Sequence, residues 1–179
     1  MKKRFNIALT VLLLTLSLTL LAGCQEESPD ETQQPQSESA ETEAKIPPTV
    51  EELTAKMDAL LSTSSKMSAM DEEYLLYMME LDPAGITDWV VKVQTSGTEV
   101  DQYGIFLAPT PQDAEVFSKA IRAYLDRTEE SWAQFNYLPE ELPKLEKSTV
   151  EVNGQYVLYI VAAESEKAAC IEAFHQAVN

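Results

Sequence analysis

The chain divides at Cys24, and this division decides which residues are available to build a folded domain. Three basic residues open the chain: Lys2, Lys3 and Arg4. An apolar run follows, and it ends in small residues directly before the cysteine. A basic start, an apolar centre and a small-residue cleavage site together predict a secretion signal over residues 1–23. The alternative is a retained membrane anchor. We disfavour it because the run falls short of the roughly 20 residues that cross hydrocarbon and lacks basic stop-transfer residues after it.

The end of this signal resembles a bacterial lipobox, which consists here of Leu21, Ala22, Gly23 and Cys24. In a lipobox the cysteine thiol receives a diacylglyceryl group and the chain is cut before it, so the resemblance implies a mature protein anchored to a membrane through Cys24. Two or more acyl chains, at about 0.8 kcal/mol per buried methylene, make such attachment stable. The alternative is an ordinary signal with an incidental cysteine. It does not explain why the only cysteine in the first half follows a cleavage site.

The mature chain is expected to be strongly acidic. The full sequence has 13 basic and 30 acidic residues and a net charge of −17, and removal of residues 1–23 leaves 10 basic residues and a net charge of −20. This charge argues against nucleic acid as a partner and against contact with anionic lipid head groups. Once Cys24 is acylated, Cys170 is the remaining thiol, so the fold must depend on its apolar core rather than on a disulfide.

Residues 24–45 are predicted to form the lipidated cysteine and a disordered acidic tether. Residues 25–45 are Gln, Glu, Ser, Thr, Pro, Asp and Ala with a single lysine, so they cannot offset the entropy of ordering. A flexible chain of this length spans roughly 25 Å, and its like charges extend it further. The alternative is that the acidic run binds a cation or a partner.

Residues 46–179 are predicted to form a single α+β domain, because they suffice for one core and contain no repeat. Capping residues and apolar residues at helical spacing predict helices over 49–62, 68–79, 110–135 and 165–178. Strands are predicted over 86–94, 103–108, 150–152 and 156–161, with Asn153-Gly154 as a two-residue hairpin turn. This order favours an antiparallel sheet of about four strands, in two hairpins, packed by a long central helix and by N- and C-terminal helices.

The layout resembles an uncharacterised domain found in lipoproteins of Firmicutes, particularly clostridia. The resemblance is carried by the lipobox, the strand Trp89–Val93, the segment Phe135–Pro139 after the long helix, and the closing hairpin Asn153–Leu158. It implies an α+β fold and a location at a Gram-positive cell surface. That family has no established activity, so the resemblance implies no catalytic residues.

The residues that could carry chemistry are few. The sequence has one histidine, His175, and neither an H-E-x-x-H nor a G-x-S-x-G motif, whereas a nucleophile needs a base and a zinc site needs several ligands. We therefore predict no catalytic residues, no metal and no cofactor. His175 is expected to be partly solvated near a helix C-terminus, and Cys170 to be a buried core residue.

Four methionines suggest a soft-metal site as an alternative: Met67, Met70, Met78 and Met79, with Asp71 beside them. Thioethers bind monovalent copper, but methionine also fills irregular cores. No histidine lies near these residues, and the adjacent tyrosines and leucines favour core packing.

The last predicted strand is apolar on both faces. A two-residue turn places five residues on one face: Val150, Val152, Val157, Tyr159 and Val161. It leaves Tyr156, Leu158 and Ile160 on the other face. Either helices cover both faces, or these three residues form an exposed surface for a protein partner or a second copy.

These observations predict a non-catalytic binding or accessory module that is lipid-anchored on the extracellular side of a cell membrane. Its partner would be a protein or a cell-wall component. One alternative is a lipoprotein that captures a small solute. Another is a hydrolase of wall glycans, which needs two carboxylates about 5 to 9 Å apart, a geometry that sequence does not reveal.

Overall fold

The computed structural model describes residues 46–135 and 138–179. The predicted signal peptide, the lipidation site and the tether lie outside the described residues. The described part of the chain forms the predicted α+β fold, with an open antiparallel sheet and helices against both of its faces.

The sheet has five strands in the order β1-β2-β3-β5-β4. They are β1 (Met67–Ala69), β2 (Asp88–Gln94), β3 (Gln102–Leu107), β4 (Thr149–Asn153) and β5 (Tyr156–Val161). The two central strands, β3 and β5, pair antiparallel with Ile105 opposite Leu158. Both strands are apolar on both faces, as expected for strands that helices cover from two sides.

The edge strand β1 was not predicted, because the sequence favoured a helix starting at Ser68. Ser68 instead pairs with Val93 of β2, and the helix begins only at Glu72, after Asp71 caps it by accepting a hydrogen bond from the Tyr74 amide at 3.0 Å. Pairing with a strand distant in sequence has overridden the local signal at this point.

Five α-helices accompany the sheet in the described part of the chain. They are α1 (Val50–Leu60), α2 (Glu72–Tyr74), α3 (Pro111–Phe135), α4 (Leu142–Glu146) and α5 (Glu164–Val178). The five residues Leu75–Met79 continue α2 as one turn of π-helix, which we call the π-turn. The predicted capping box of α1 is present: the Glu52 amide donates to Thr49 Oγ1 at 3.1 Å, and the Thr49 amide donates to Glu52 Oε2 at 2.8 Å.

The apolar core consists of two clusters, one on each face of the sheet. Helices α1 and α5 cover one face, where the largest buried side chains are Leu53, Met57, Tyr103, Ile105, Leu158, Ile160 and Phe174. The π-turn, α3 and α4 cover the other face, where they are Leu75, Met79, Phe106, Ile121, Leu145 and Tyr159. The alternation of side chains along β5 therefore divides its residues between the two clusters.

The hairpin turn lies one residue later than predicted. Asn153 pairs with Tyr156, so the turn residues are Gly154 and Gln155, and Gly154 adopts a positive φ of 59°. Glycine tolerates this conformation because it has no Cβ. Each residue of β4 therefore pairs with a β5 residue two positions later than predicted; Val152, for example, pairs with Val157. Because side chains alternate with a period of two, every side chain keeps its predicted face.

The structure decides between the two alternatives for Tyr156, Leu158 and Ile160: helices cover this face, as one alternative predicted, and the exposed partner surface is wrong. Leu158 and Ile160 are completely buried beneath α1 and α5. Tyr156 is half-buried, and its hydroxyl donates a 2.7 Å hydrogen bond to the Pro48 carbonyl at the start of the described chain. Helices thus cover the second apolar face.

Candidate functional site

The π-turn carries three consecutive large apolar side chains that remain exposed. Leu76 is 46% exposed, Tyr77 73% and Met78 53%, whereas Leu75 and Met79 at the two ends of the turn are fully buried. The buried pair anchors the turn in the core and leaves the middle residues facing outward. Exposed apolar residues that adjoin one another often mark an interaction site, unlike the single exposed residues found on any protein.

The end of the π-turn is conformationally strained. Glu80 adopts a left-handed conformation with φ 58° and ψ 33°, and the Glu80 and Leu81 amides both donate to the Leu75 carbonyl. A non-glycine residue in this region costs about 1–3 kcal/mol. Single π-turns and left-handed residues occur frequently at functional sites. The chain therefore keeps this segment in a costly shape that holds Leu76, Tyr77 and Met78 on the surface.

A pocket of about 370 Å³ lies between the π-turn and α3. It is lined by Met78, Tyr124, Arg127, Thr128, Ser131 and Trp132. Its volume falls at the lower end of the range of about 300–1,000 Å³ that is usual for small-molecule sites. We call the pocket together with the exposed side chains of residues 76–78 the π-turn surface.

Tyr124, one of the residues that line the pocket, has a hydroxyl that is hydrogen-bonded in the core. That hydroxyl donates to Gln102 Oε1 at 2.7 Å and lies 2.6 Å from the Tyr74 hydroxyl, which can therefore donate to it. The Tyr159 hydroxyl donates to the same Gln102 oxygen at 3.3 Å. Burial raises the pKa of Tyr74, Tyr124 and Tyr159 above the ordinary value of a phenol. The three phenols therefore stay protonated near neutral pH and act as hydrogen-bonding groups rather than as bases.

Arg127 joins the π-turn to α3. Its guanidinium donates a 3.0 Å hydrogen bond to the Met78 carbonyl and lies 3.5 Å from Glu80 Oε1. Both side chains of this ion pair are largely exposed, so the pair itself adds at most about 1 kcal/mol. Its effect is to hold the strained end of the π-turn beside the pocket.

A wider groove of about 660 Å³ lies between α1 and α5. Its wall includes the small residues Ala55, Ala59 and Ala177, with Glu52 and Lys56 as its charged groups. Small residues allow two helices to approach closely, which accounts for this groove without a ligand. The polar side chains that line it, those of Glu52, Lys56 and Gln176, are all exposed.

A family model described as "Domain of unknown function (DUF4358)" matches residues 60–162, more than half of the chain. The chain belongs to this family. The matched part of the DUF4358 domain contains all five strands, α3, α4 and every residue of the π-turn surface, whereas α5 lies outside it. No significant match was found among curated proteins or solved structures. Among the described residues of this DUF4358 domain, none of the helices is long and apolar enough to cross a membrane.

A buried ionic cluster lies at the end of the sheet. Lys144 Nζ on α4 contacts Asp101 Oδ2 at 2.7 Å and Glu141 Oε2 at 2.9 Å, and the Val100 amide donates to the same Glu141 oxygen at 3.1 Å. Asp101 is only 1% exposed. Burial raises the pKa of Asp101 above its usual range, although Lys144 opposes this shift. A carboxyl this deeply buried cannot reach a glycan, so the cluster joins α4 to β3 rather than serving hydrolysis.

A second polar contact joins α1 to the sheet, on the face that α1 and α5 cover. Asp58 accepts hydrogen bonds at both carboxylate oxygens, from Lys92 Nζ at 2.6 Å and from the Tyr103 hydroxyl at 2.8 Å. Burial and the neighbouring Asp58 raise the pKa of Tyr103. Because both carboxylate oxygens are occupied, we assign this group a structural role.

The methionines are not gathered into one site. Met79 is buried in the cluster beneath α3, and Met70 packs against the same cluster, whereas Met67 packs against the cluster beneath α1 and α5. Met78 is exposed in the π-turn surface. No group of three His, Cys, Asp or Glu side chains that could hold a metal occurs in residues 46–135 and 138–179.

His175 and Cys170 both lie on α5. His175 lies near β4, whereas Cys170 lies in the core. The His175 ring is 3.1 Å from Glu151 Oε2 and is partly exposed in the last helical turn, as predicted. Cys170 is completely buried, which confirms its prediction as a core residue. Burial, with a smaller contribution from Glu166, raises the pKa of the Cys170 thiol from 9.0 to about 11.

Cys170 should therefore react slowly with iodoacetamide. At about pH 8 the raised pKa lowers the thiolate fraction roughly a hundredfold relative to an ordinary thiol, and burial slows access further. The measurement is the alkylation rate of the Cys24→Ala chain, in which Cys170 is the only thiol, in native buffer and in urea. Equal rates in the two solvents would contradict the buried position.

The same shift predicts a loss of stability in alkaline solution. Because the folded pKa of Cys170 lies above the unfolded one, its contribution is fully present below about pH 9 and is lost as the pH rises through about 11. Cys170→Ala should remove this part of the alkaline slope when urea unfolding is compared across that range. An unchanged slope in the variant would contradict the assignment.

Sequence analysis did not identify the π-turn surface. One signal was available: Leu75–Met79 is a run of five apolar residues, more than one face of a helix can bury. We expected Met78 and Met79 to pack in the core, and of these two only Met79 is buried.

Proposed function

We propose that the protein is a non-catalytic binding module, held at the outer face of a membrane by a lipid on Cys24 and presenting the π-turn surface to a partner. The observation that carries this proposal is the exposure of Leu76, Tyr77 and Met78 on a strained turn beside a pocket. The lipobox sequence and the acidic composition of residues 25–45 support the anchor and the tether. The partner would be a protein or a cell-wall component at a Gram-positive cell surface.

The exposed apolar residues favour a macromolecular partner over a small solute. A solute pocket buries its ligand, and side chains that project outward, such as that of Tyr77, do not contribute to this burial. Protein interfaces, in contrast, combine apolar anchors with a polar rim, and tyrosine is one of the residues that most often dominate their binding energy.

Capture of a small solute is the second candidate, and the pocket beneath Met78 supports it. The polar side chains of Arg127, Thr128 and Ser131, which line it, would orient a small ligand with polar groups. Such a ligand would bind independently of the membrane anchor.

Crosslinking and co-purification from native membranes tests the proposal. We expect the intact protein to recover a specific partner, and Cys24→Ala to lose it because the module no longer reaches the membrane. Tyr77→Ser should reduce recovery at least about fivefold, since the loss of an exposed interface tyrosine typically costs more than about 1 kcal/mol.

Val116→Ser is the matched control, because Val116 is also an exposed apolar residue, 60% accessible, on the N-terminal part of α3. This control should retain the partner within about twofold. Equal recovery from the intact protein, Cys24→Ala and Tyr77→Ser would show that neither the anchor nor the π-turn surface matters. Recovery of no protein would leave solute capture as the candidate to pursue.

A further inference from the structure

We infer that the π-turn surface binds a cationic protein segment, in which an apolar anchor is flanked by lysine or arginine. This inference rests on the proposed function and names the chemistry of the partner for the same surface.

Every charged side chain in the chain segment around the π-turn is negative. Residues 67–91 contain no lysine or arginine, and six carboxylates: Asp71, Glu72, Glu73, Glu80, Asp82 and Asp88. All six residues are exposed. The nearest basic residues in sequence are Lys66 and Lys92, and these pair with Glu99 and Asp58 respectively.

Three of these carboxylates lie close to the apolar residues along the chain. Glu72 lies four residues before Leu76, and Glu73 lies four residues before Tyr77, about one turn away along the same helical stretch. Glu80 follows directly after the π-turn. Together these residues give an apolar centre with an acidic rim, which is the arrangement of a protein interface whose rim selects partners by charge.

The facing part of α3 does not reverse this charge. The only charged α3 side chain that lines the pocket is that of Arg127, and Arg127 already pairs with Glu80. The surface therefore remains acidic even when the positive charge of Arg127 is counted. A cationic partner would gain from this field during association, and the gain would fall with ionic strength.

The same field disfavours other occupants of the surface. A second copy of this acidic chain, an anionic lipid surface or a nucleic acid would meet like charge at the rim. A protein segment with apolar residues between basic ones would match both the centre and the rim.

Site-specific photocrosslinking in the full-length protein tests the inference. A benzoylphenylalanine in place of Tyr77 keeps an aromatic side chain at the centre of the surface, and the adduct formed in isolated native membranes is mapped by mass spectrometry. We expect the crosslinked segment to carry a net positive charge. The adduct yield should fall about three- to tenfold when Glu72→Gln and Glu73→Gln are combined, and comparably when the salt is raised to about 0.5 M.

Glu51→Gln combined with Glu172→Gln is the matched control, because it removes the same charge from α1 and α5 on the opposite face of the sheet. This control should leave the yield unchanged. An adduct with an acidic or uncharged segment, a lipid or a second copy of the chain would overturn the inference. So would a yield that responds equally to both charge variants.

The failure of this inference can be told apart from the failure of the proposed function. If Tyr77→Ser abolishes partner recovery but the crosslinked segment is not basic, the binding surface stands and the cationic partner is rejected. If no adduct forms and no partner is recovered, both are rejected.

Discussion

Replacing Lys144 with methionine should destabilise the domain by about 3 kcal/mol, the lower end of the loss expected when one member of a buried ion pair is removed. Lys144 neutralises two carboxylates, Asp101 and Glu141, which both lie within 3 Å of its ammonium group. Methionine preserves most of the volume of the side chain but leaves the Asp101 charge unpaired and almost completely buried. Lys144 is itself 24% exposed, and this favours the lower end of the range. Urea unfolding near neutral pH measures the loss.

The loss should shrink as the solution is acidified. The folded pKa of Asp101 lies above its unfolded value of 3.8 because burial disfavours the charged form. A raised pKa means that the stability contribution of Asp101 is fully present below about pH 3.8 and is lost as the pH rises through the folded pKa. Without Lys144 that folded pKa rises further. The difference between Lys144→Met and the natural protein should therefore decrease from about pH 7 towards about pH 4.

Two variants control this experiment. Lys66→Met breaks a comparable 3.3 Å ion pair with Glu99, but Lys66 is 60% exposed, so the loss should stay below about 1 kcal/mol. Adding Asp101→Asn to Lys144→Met should recover part of the stability, because position 101 then carries no unpaired buried charge. If Lys144→Met lost no more stability than Lys66→Met, the buried cluster would not contribute as argued.

The elements with strong local determinants were predicted from the sequence. The capping box at Thr49, the long apolar stripe of α3 and the alternation along β5 each depend on residues close together in the chain. The division of β5 between two faces was correct even though the turn was placed one residue early. Side-chain alternation has a period of two, so a shift of each strand partner by two positions leaves the faces unchanged.

The elements that depend on distant contacts were missed or misplaced. Strand β1 exists because Met67–Ala69 pairs with β2, more than 20 residues away in sequence. In the π-turn the Glu80 and Leu81 amides both donate to the Leu75 carbonyl, and no local residue pattern predicts this change in hydrogen bonding. The short helix α4 is held by the contacts of Lys144 with Asp101, again across a long separation.

The same dependence on distant contacts decides which apolar segments are buried. Tyr156, Leu158 and Ile160 looked like surplus apolar residues, but α1 and α5 cover Leu158 and Ile160 completely. Leu76, Tyr77 and Met78 belonged to a predicted helix, in an apolar run longer than one helical face can bury, and they are exposed. Burial depends on which elements meet across the sheet, and local hydrophobicity does not determine that choice.

Replacing Gly104 with alanine should destabilise the domain by about 2–3 kcal/mol, the upper part of the range for overpacking a core. Gly104 lies in the middle of β3, between Val91 on one neighbouring strand and Tyr159 on the other. A Cβ at this position would overlap the Tyr159 ring and would lie 3.0 Å from the Phe106 ring. Both rings are completely buried, and the Tyr159 hydroxyl is also held by Gln102, so neither ring can move aside freely.

Gly85→Ala is the matched control for the Gly104 prediction. A Cβ at Gly85 would have no neighbour within 4 Å, and its φ is not positive, so the change should alter stability by less than about 1 kcal/mol and could increase it. Urea unfolding of both variants separates the steric effect at Gly104 from the general effect of losing a glycine.

Because Tyr159 shares Gln102 with Tyr124, a displaced Tyr159 ring should also disturb the pocket beside the π-turn. Partner recovery by Gly104→Ala should therefore fall under conditions in which the variant is still folded, whereas recovery by Gly85→Ala should not. Full recovery by a folded Gly104→Ala protein would show that the buried tyrosines do not support the π-turn surface.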